Sequence, residues 1–120
     1  MPTLPPCPDT PNCVSSLAAL GSHYVEAIRY SGSPEDARKI LLNIVSNLPR
    51  TEICSSQEEP VLHVTFTSFF FRFVDDVHFL FDNDRKVIHV SSASRTGTYD
   101  FGVNRQRVEQ LRTAFTSAAE

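Results

Sequence analysis

The sequence predicts an α+β domain in which an antiparallel sheet of about five strands carries two helices on one face, a helix-grip-like arrangement. Two stretches repeat apolar residues with the 3.6-residue period of a helix, and the chain between them alternates apolar and polar residues as strands do. With 120 residues, the chain has the length of one domain and is too short for two. The predicted order is strand, helix, four strands and helix.

Residues 1–22 contain five of the eight prolines and show little periodicity. They predict an extended, Pro-rich arm ahead of a single domain at residues 23–120. Within that domain, residues 23–31 alternate loosely and predict the first strand.

A helix is predicted at residues 34–48. Ser33 is a suitable N-cap, Pro34 suits the first helical position, and Pro49 ends the element. One face of this helix carries the apolar residues Ala37, Ile40, Leu41, Ile44, Val45 and Leu48.

Four strand-like runs follow, at residues 50–57, 61–71, 76–82 and 86–92. Short links between consecutive strands favour an antiparallel meander, and Asn83 and Asp84 suit a hairpin turn. A closing helix is then predicted, with Val108, Leu111, Phe115 and Ala118 on its inner face.

Composition argues against a nucleic-acid partner and against an integral membrane segment. The net charge is −3 and the pI is near 5.8, so the chain lacks the basic field of a nucleic-acid-binding protein. No apolar run is long enough for an integral membrane segment.

Because no signal peptide precedes the domain, the sequence as given predicts a cytoplasmic protein. The alternative is a periplasmic or membrane-associated protein whose export signal was removed.

Cys7 and Cys13 bracket a short segment that contains two prolines. They are either a disulfide, which implies an oxidising compartment, or a pair of reduced thiols in a cytosolic arm. Two thiolates fall short of a four-ligand zinc site.

His63 and His78 could face each other across a hairpin, but no carboxylate or Cys is spaced to complete a metal site. No metal and no cofactor is expected.

The densest polar segment lies before and within the start of the closing helix. Arg95, Asp100, Asn104 and Arg105 could form an anion site, because guanidinium groups and helix N-terminal amides both bind anions. The alternative is an internal ion-pair network that fixes this loop, with carboxylates as the partners of the arginines. The three carboxylates available are Asp75, Asp76 and Asp100.

Asp75 and Asp76 are unsuited to act as a catalytic pair. Adjacent residues of a strand point to opposite faces of the sheet, so their carboxyl groups cannot readily share a proton.

Phe69 and Phe71 belong to a run of aromatic residues that one sheet face cannot bury entirely. They are either ordinary core or part of an aromatic-lined pocket or partner surface.

Three segments carry a resemblance to a known family: CPDTPNCVSS at 7–16, FRFVDDV at 71–77 and SASRTGTYDFGVNRQRVE at 92–109. Together they resemble the uncharacterised family catalogued as domain of unknown function 1499, found in bacteria and plastid-bearing eukaryotes. The resemblance implies no activity. It does imply relatives that often carry an export, lipoprotein or anchoring segment ahead of the paired cysteines, and it adds support for a disulfide between them.

The function expected from these observations is a non-catalytic binding or accessory module that holds an apolar small molecule or a protein partner. The alternative is an enzyme or anion-binding protein that uses Arg95, Asp100, Asn104 and Arg105.

Overall fold

A computed structural model describes residues 2–56 and 58–120. Its elements, in chain order, are β1 (Cys13–Ser15), β2 (Ile28–Arg29), α1 (Pro34–Ser46), β3 (Thr51–Ile53), β4 (Val61–Thr67), β5 (Val74–Asp82), β6 (Val87–Ser94) and α2 (Val103–Ala119). The α+β class and the antiparallel sheet with two helices are therefore confirmed. The sheet has six strands where about five were predicted.

The strands follow the spatial order β1-β6-β5-β4-β3, and β2 also pairs with β6. β1 and β2 pair with different parts of β6, so these two short strands share one edge of it. All of these pairings are antiparallel, and β4, β5 and β6 form the long central meander.

Alternation along the central strands separates the two faces of the sheet. The inner face carries Leu62, Val64, Val77, Phe79, Ile88 and Val90, all at most 1% exposed. Helices α1 and α2 cover this face and complete the core with Ala37, Leu41, Val45, Val108, Leu111 and Phe115. The domain therefore has one apolar core, between the sheet and its two helices.

Local chemistry explains where each helix begins. Ser33 caps α1 by accepting a hydrogen bond from the amide of Asp36 at 3.1 Å, and Pro34 occupies the first turn. α2 follows Gly102, whose φ of 78° is in the left-handed region that glycine tolerates best. Gly102 has no side chain to cap the helix, and Asp100 takes over that role.

Several predicted boundaries are wrong. The strand predicted at 61–71 ends at Thr67, because Ser68 and Phe73 close a loop through a 2.9 Å hydrogen bond from the Ser68 amide to the Phe73 carbonyl. The strand predicted at 23–31 shortens to the two residues of β2. Ala118, predicted on the inner face of the last helix, is exposed near the end of the chain.

The predicted Pro-rich arm contributes β1, an edge strand that the sequence pattern did not indicate. Position 1 of that arm and position 57, the predicted end of the strand 50–57, lie outside the described residues. The remaining part of that strand is β3, which has only three residues.

Candidate functional site

A groove of about 290 Å³ lies between the two helices and the end of β4. We refer to it as the helix groove. α1 ends at Ser46, and the chain that leads from it into β3 forms one wall. The groove is lined mostly by apolar atoms, from Ile44, Leu48, Pro49, Arg50, Phe66, Thr67, Ser68, Arg107, Gln110, Leu111 and Ala114.

Arg107 lies in the helix groove, with its guanidinium 4.9 Å from the centre of the Phe66 ring. Its Nη1 lies 2.8 Å from Oδ2 of Asp75, and the two side chains are only 15% and 10% exposed. Asp75 therefore neutralises Arg107, and together they present a polar but uncharged surface to the groove.

A buried polar network continues from Arg107 to the start of α2. Asn104 is fully buried, and its Oδ1 accepts hydrogen bonds from Arg107 at 2.9 Å and from the Ser92 hydroxyl at 2.6 Å. Its Nδ2 donates to Asp100 at 2.8 Å and to the Asn12 carbonyl at 3.2 Å. Asn104 thus ties α2 to β6 and to the N-terminal arm, and its hydrogen-bonding groups are occupied.

Asp100 serves the same end of α2. Its carboxylate accepts hydrogen bonds from the backbone amides of Gly102 at 2.9 Å and Asn104 at 3.1 Å. Burial opposes ionisation of this carboxyl, but the hydrogen bonds from Asn104 and Gly102 outweigh it and lower its pKa. Asp100 is therefore an ionised cap, and its oxygens are already in use.

Asp76 lies on the outer face of the sheet, which the helices do not cover. Its two carboxylate oxygens receive hydrogen bonds at 2.9 Å from Arg95, and His63 Nε2 lies 2.7 Å from Oδ1. The hydrogen bond from Arg95, which outweighs the opposing effect of burial, and a further one from His63 lower the pKa of Asp76 to about 2. Arg95 pairs with one of the three carboxylates that the sequence suggested.

His63 and His78 are directly opposite each other in the sheet and stack with ring centroids 4.3 Å apart. Burial, and then the nearby charge of His63, lower the pKa of His78. Within residues 2–56 and 58–120, no three His, Cys, Asp or Glu side chains are grouped so that they could hold a metal ion.

Arg105 points away from the other residues of the predicted anion site. Its guanidinium donates hydrogen bonds at 2.8 Å to the carbonyl oxygens of Tyr24 and Ser22. Arg95 lies on the outer face and Asn104 lies in the buried network. Of the four residues in that prediction, the structure brings only Asp100 and Asn104 into contact.

Phe69 and Phe71 lie in the loop between β4 and β5 and project into solvent. Two loops carry exposed aromatic side chains, each between 53% and 83% exposed, and we call this set the aromatic end: Phe69, Phe70, Phe71, Phe73, Tyr99 and Phe101. Arg50 joins this set to the helix groove, because it lines the groove and its guanidinium lies 5.3 Å from the centre of the Phe69 ring.

Cys7 and Cys13 form a disulfide, with their Cα atoms 5.7 Å apart. It connects the arm to β1 and hence to the edge of β6. Cys54 is a free, exposed thiol.

The family model for a protein of unknown function, DUF1499, matches residues 3–115 of the 120-residue chain. The chain belongs to the DUF1499 family. No curated protein and no solved structure matches it. No helix in the described part of this DUF1499 chain is long and apolar enough to cross a membrane.

Reasoning from the sequence did not identify the residues that line the helix groove of this DUF1499 protein. The position of Arg107 in the sequence could have indicated the groove. This arginine stands three residues after Asn104 and four before Leu111, on the buried stripe of α2. An arginine on such a stripe needs a buried partner and space for its long side chain. The contributions of Phe66 and Ala114 could not be found this way, because they depend on how the two helices sit on the sheet.

Proposed function

We propose that this protein is a non-catalytic binding module that holds an apolar small molecule in the helix groove. The observation that supports the proposal is the groove itself, a concave and mostly apolar space of about 290 Å³. Its size is at the lower end of the range for small-molecule sites, about 300–1,000 Å³, and its few polar groups could orient a ligand.

The arginines of the groove suggest the chemistry of that molecule. Arg107 is neutralised by Asp75, so this arginine places no unpaired charge beside an apolar chain. Arg50 makes no ion pair within residues 2–56 and 58–120, although it donates a hydrogen bond to the Thr67 carbonyl at 3.1 Å. A molecule with an apolar chain and one carboxylate or phosphate group, bound beside Arg50, fits both features.

Native mass spectrometry of the purified protein is the first test, because it detects a co-purified lipid-like ligand. Titration with decanoate, a simple apolar chain with one carboxylate, is the second. Ala114→Trp fills the groove and should weaken decanoate binding at least tenfold. Ala118→Trp makes the same change one turn further along α2, outside the groove, and should bind like the wild type.

Two outcomes would contradict the proposal. One is a protein that carries no ligand and shows no saturable decanoate binding. The other is equal binding by Ala114→Trp and Ala118→Trp, which would place the ligand elsewhere.

The alternative function is an enzyme or anion-binding protein that uses Arg95, Asp100, Asn104 and Arg105. It requires these side chains to leave their present partners when the anion binds. Phosphate would then raise the melting temperature of the wild type and leave that of Arg95→Ala unchanged. Equal melting temperatures with and without phosphate would argue against this alternative.

The disulfide supports a location outside the cytoplasm, because disulfides persist mainly in oxidising compartments. We therefore favour the periplasmic or membrane-associated expectation over the cytoplasmic one. Thiol counting in denaturant, on protein taken from its native compartment, should find Cys54 alone. Three free thiols would instead assign the protein to a reducing compartment.

A further inference from the structure

The aromatic end combines six exposed rings on two neighbouring loops. One loop joins β4 to β5, and the other joins β6 to α2. The amide of Arg95 donates a 3.0 Å hydrogen bond to the carbonyl of Val74, so both loops leave the same end of the sheet. Single exposed apolar side chains are ordinary, but a group of this size usually marks a contact surface.

The backbone of both loops turns these rings outward. Ser68 and Phe73 close the first loop with two 2.9 Å hydrogen bonds, one through the Ser68 hydroxyl. Arg72 and Phe101 have φ values of 57° and 56°, which are uncommon for residues with side chains. The rings contact one another within each loop, with centroid distances of 5.5 Å between Phe71 and Phe73 and 4.7 Å between Tyr99 and Phe101, and they remain outside the core.

Two arginines, Arg50 and Arg72, accompany the rings of the first loop. Arg50 and Arg72 make no ion pairs within the described residues. Of the acidic residues nearby, Asp75 pairs with Arg107 and Asp76 pairs with Arg95 and His63, whereas Asp100 is ionised and held by the amides at the start of α2. Arg50 and Arg72 are therefore the guanidinium groups at this end that remain available to an anion, although the whole chain has a net charge of −3.

We propose that the aromatic end docks onto the surface of a bilayer that contains anionic lipids. Exposed Phe side chains can enter the boundary between the headgroups and the acyl chains, and arginines beside them reach the phosphates of the headgroups. The rings stand on loop tips and form a projecting surface. Such a surface suits insertion between lipid headgroups better than packing against a flat protein face. Docking of this kind does not depend on a ligand in the helix groove, so the two proposals can fail separately.

Co-sedimentation with vesicles tests the proposal. One set contains phosphatidylglycerol and phosphatidylcholine in equal parts, and the other contains phosphatidylcholine alone. The full chain should bind the anionic set and bind phosphatidylcholine much more weakly. The double variant with Phe70→Ser and Phe71→Ser should bind the anionic vesicles at least about tenfold more weakly, because each substitution removes an apolar ring that enters the interface. Leu17→Ser together with Leu20→Ser, two exposed apolar residues elsewhere, should bind like the wild type.

The charge requirement has its own matched pair of variants. Arg50→Gln with Arg72→Gln should weaken binding to the anionic vesicles severalfold. Arg29→Gln with Arg85→Gln removes the same charge at the opposite end of the sheet and should have little effect. Circular dichroism spectra should match the wild type for all four variants, because the altered side chains are exposed.

Three results would overturn the proposal: no sedimentation with either vesicle set, equal binding by the Phe variant and the wild type, or binding that ignores lipid charge. An oligomeric state measured without lipid could also contradict it. In that case the wild type would be a dimer, the Phe variant would be a monomer, and neither would bind vesicles. That result would show that a second copy of the chain covers the aromatic end.

Discussion

Asp75 and Asp76 are neighbours in β5, yet their carboxylates lie on opposite faces of the sheet. Asp75 faces the helices and pairs with Arg107, and Asp76 faces outward and pairs with Arg95. Alternation along a strand is sufficient to predict this separation. It does not predict which arginine is buried, because that depends on where α2 lies against the sheet.

The two ion pairs should differ in their contribution to stability. Arg107→Ala leaves the buried carboxylate of Asp75 without its partner and should lower the free energy of unfolding by roughly 3–5 kcal/mol. Arg95 is 51% exposed, so Arg95→Ala should lower it by no more than about 1 kcal/mol. Urea denaturation of both variants measures the difference.

The sequence suggested Asp75, Asp76 and Asp100 as partners for the arginines of this region, and Arg95 does pair with Asp76. That pair is largely exposed, and the buried pair is the one between Arg107 and Asp75. A loss for Arg95→Ala as large as that for Arg107→Ala would contradict this account of the two pairs.

At the scale of elements, α2 depends on a carboxylate two residues before its N-cap. Asp100→Ala removes the acceptor for two backbone amides and for the buried Asn104 side chain. A lost cap costs about 0.5–2 kcal/mol, and the Asn104 side-chain amide keeps the Asn12 carbonyl and the Ser94 hydroxyl as acceptors, so the variant should be about 1–2 kcal/mol less stable. Urea denaturation checks this value.

Asp84→Ala is the matched control for Asp100→Ala. Asp84 is exposed in the turn between β5 and β6, and its side chain makes no hydrogen bond within the described residues. Its replacement should change the free energy of unfolding by less than about 0.5 kcal/mol. Equal losses in the free energy of unfolding for the two variants would contradict the capping role of Asp100.

The elements differ in how far the sequence predicts them. α1 is predicted well because its cap, first-turn proline and apolar period all agree. β1 carries no usable pattern, because three residues are too few to show a period and their pairing with β6 is long-range. The Phe run suits a strand, but β5 begins only at Val74, so residues 69–71 have no partner strand beside them.

At the scale of the whole molecule, the helix groove and the aromatic end adjoin one another. Arg50 and Ser68 line the groove, and each contacts a residue of the aromatic end. The sequence left Phe69 and Phe71 as either core or an exposed aromatic surface, and the structure places both side chains on the exterior. The residues that line the groove could not be predicted, because they come from elements that are distant in sequence.

Methyl NMR spectra recorded during a titration with decanoate test the central claim most directly. If the groove binds an apolar molecule, the methyl signals of Leu48, Leu111 and Ala114 should shift in a saturable manner. The methyl signals of Leu17 and Leu20, which lie outside the groove, should stay in place. Unchanged signals for the groove residues, or shifts confined to Leu17 and Leu20, would contradict the proposal that this protein binds an apolar molecule in its helix groove.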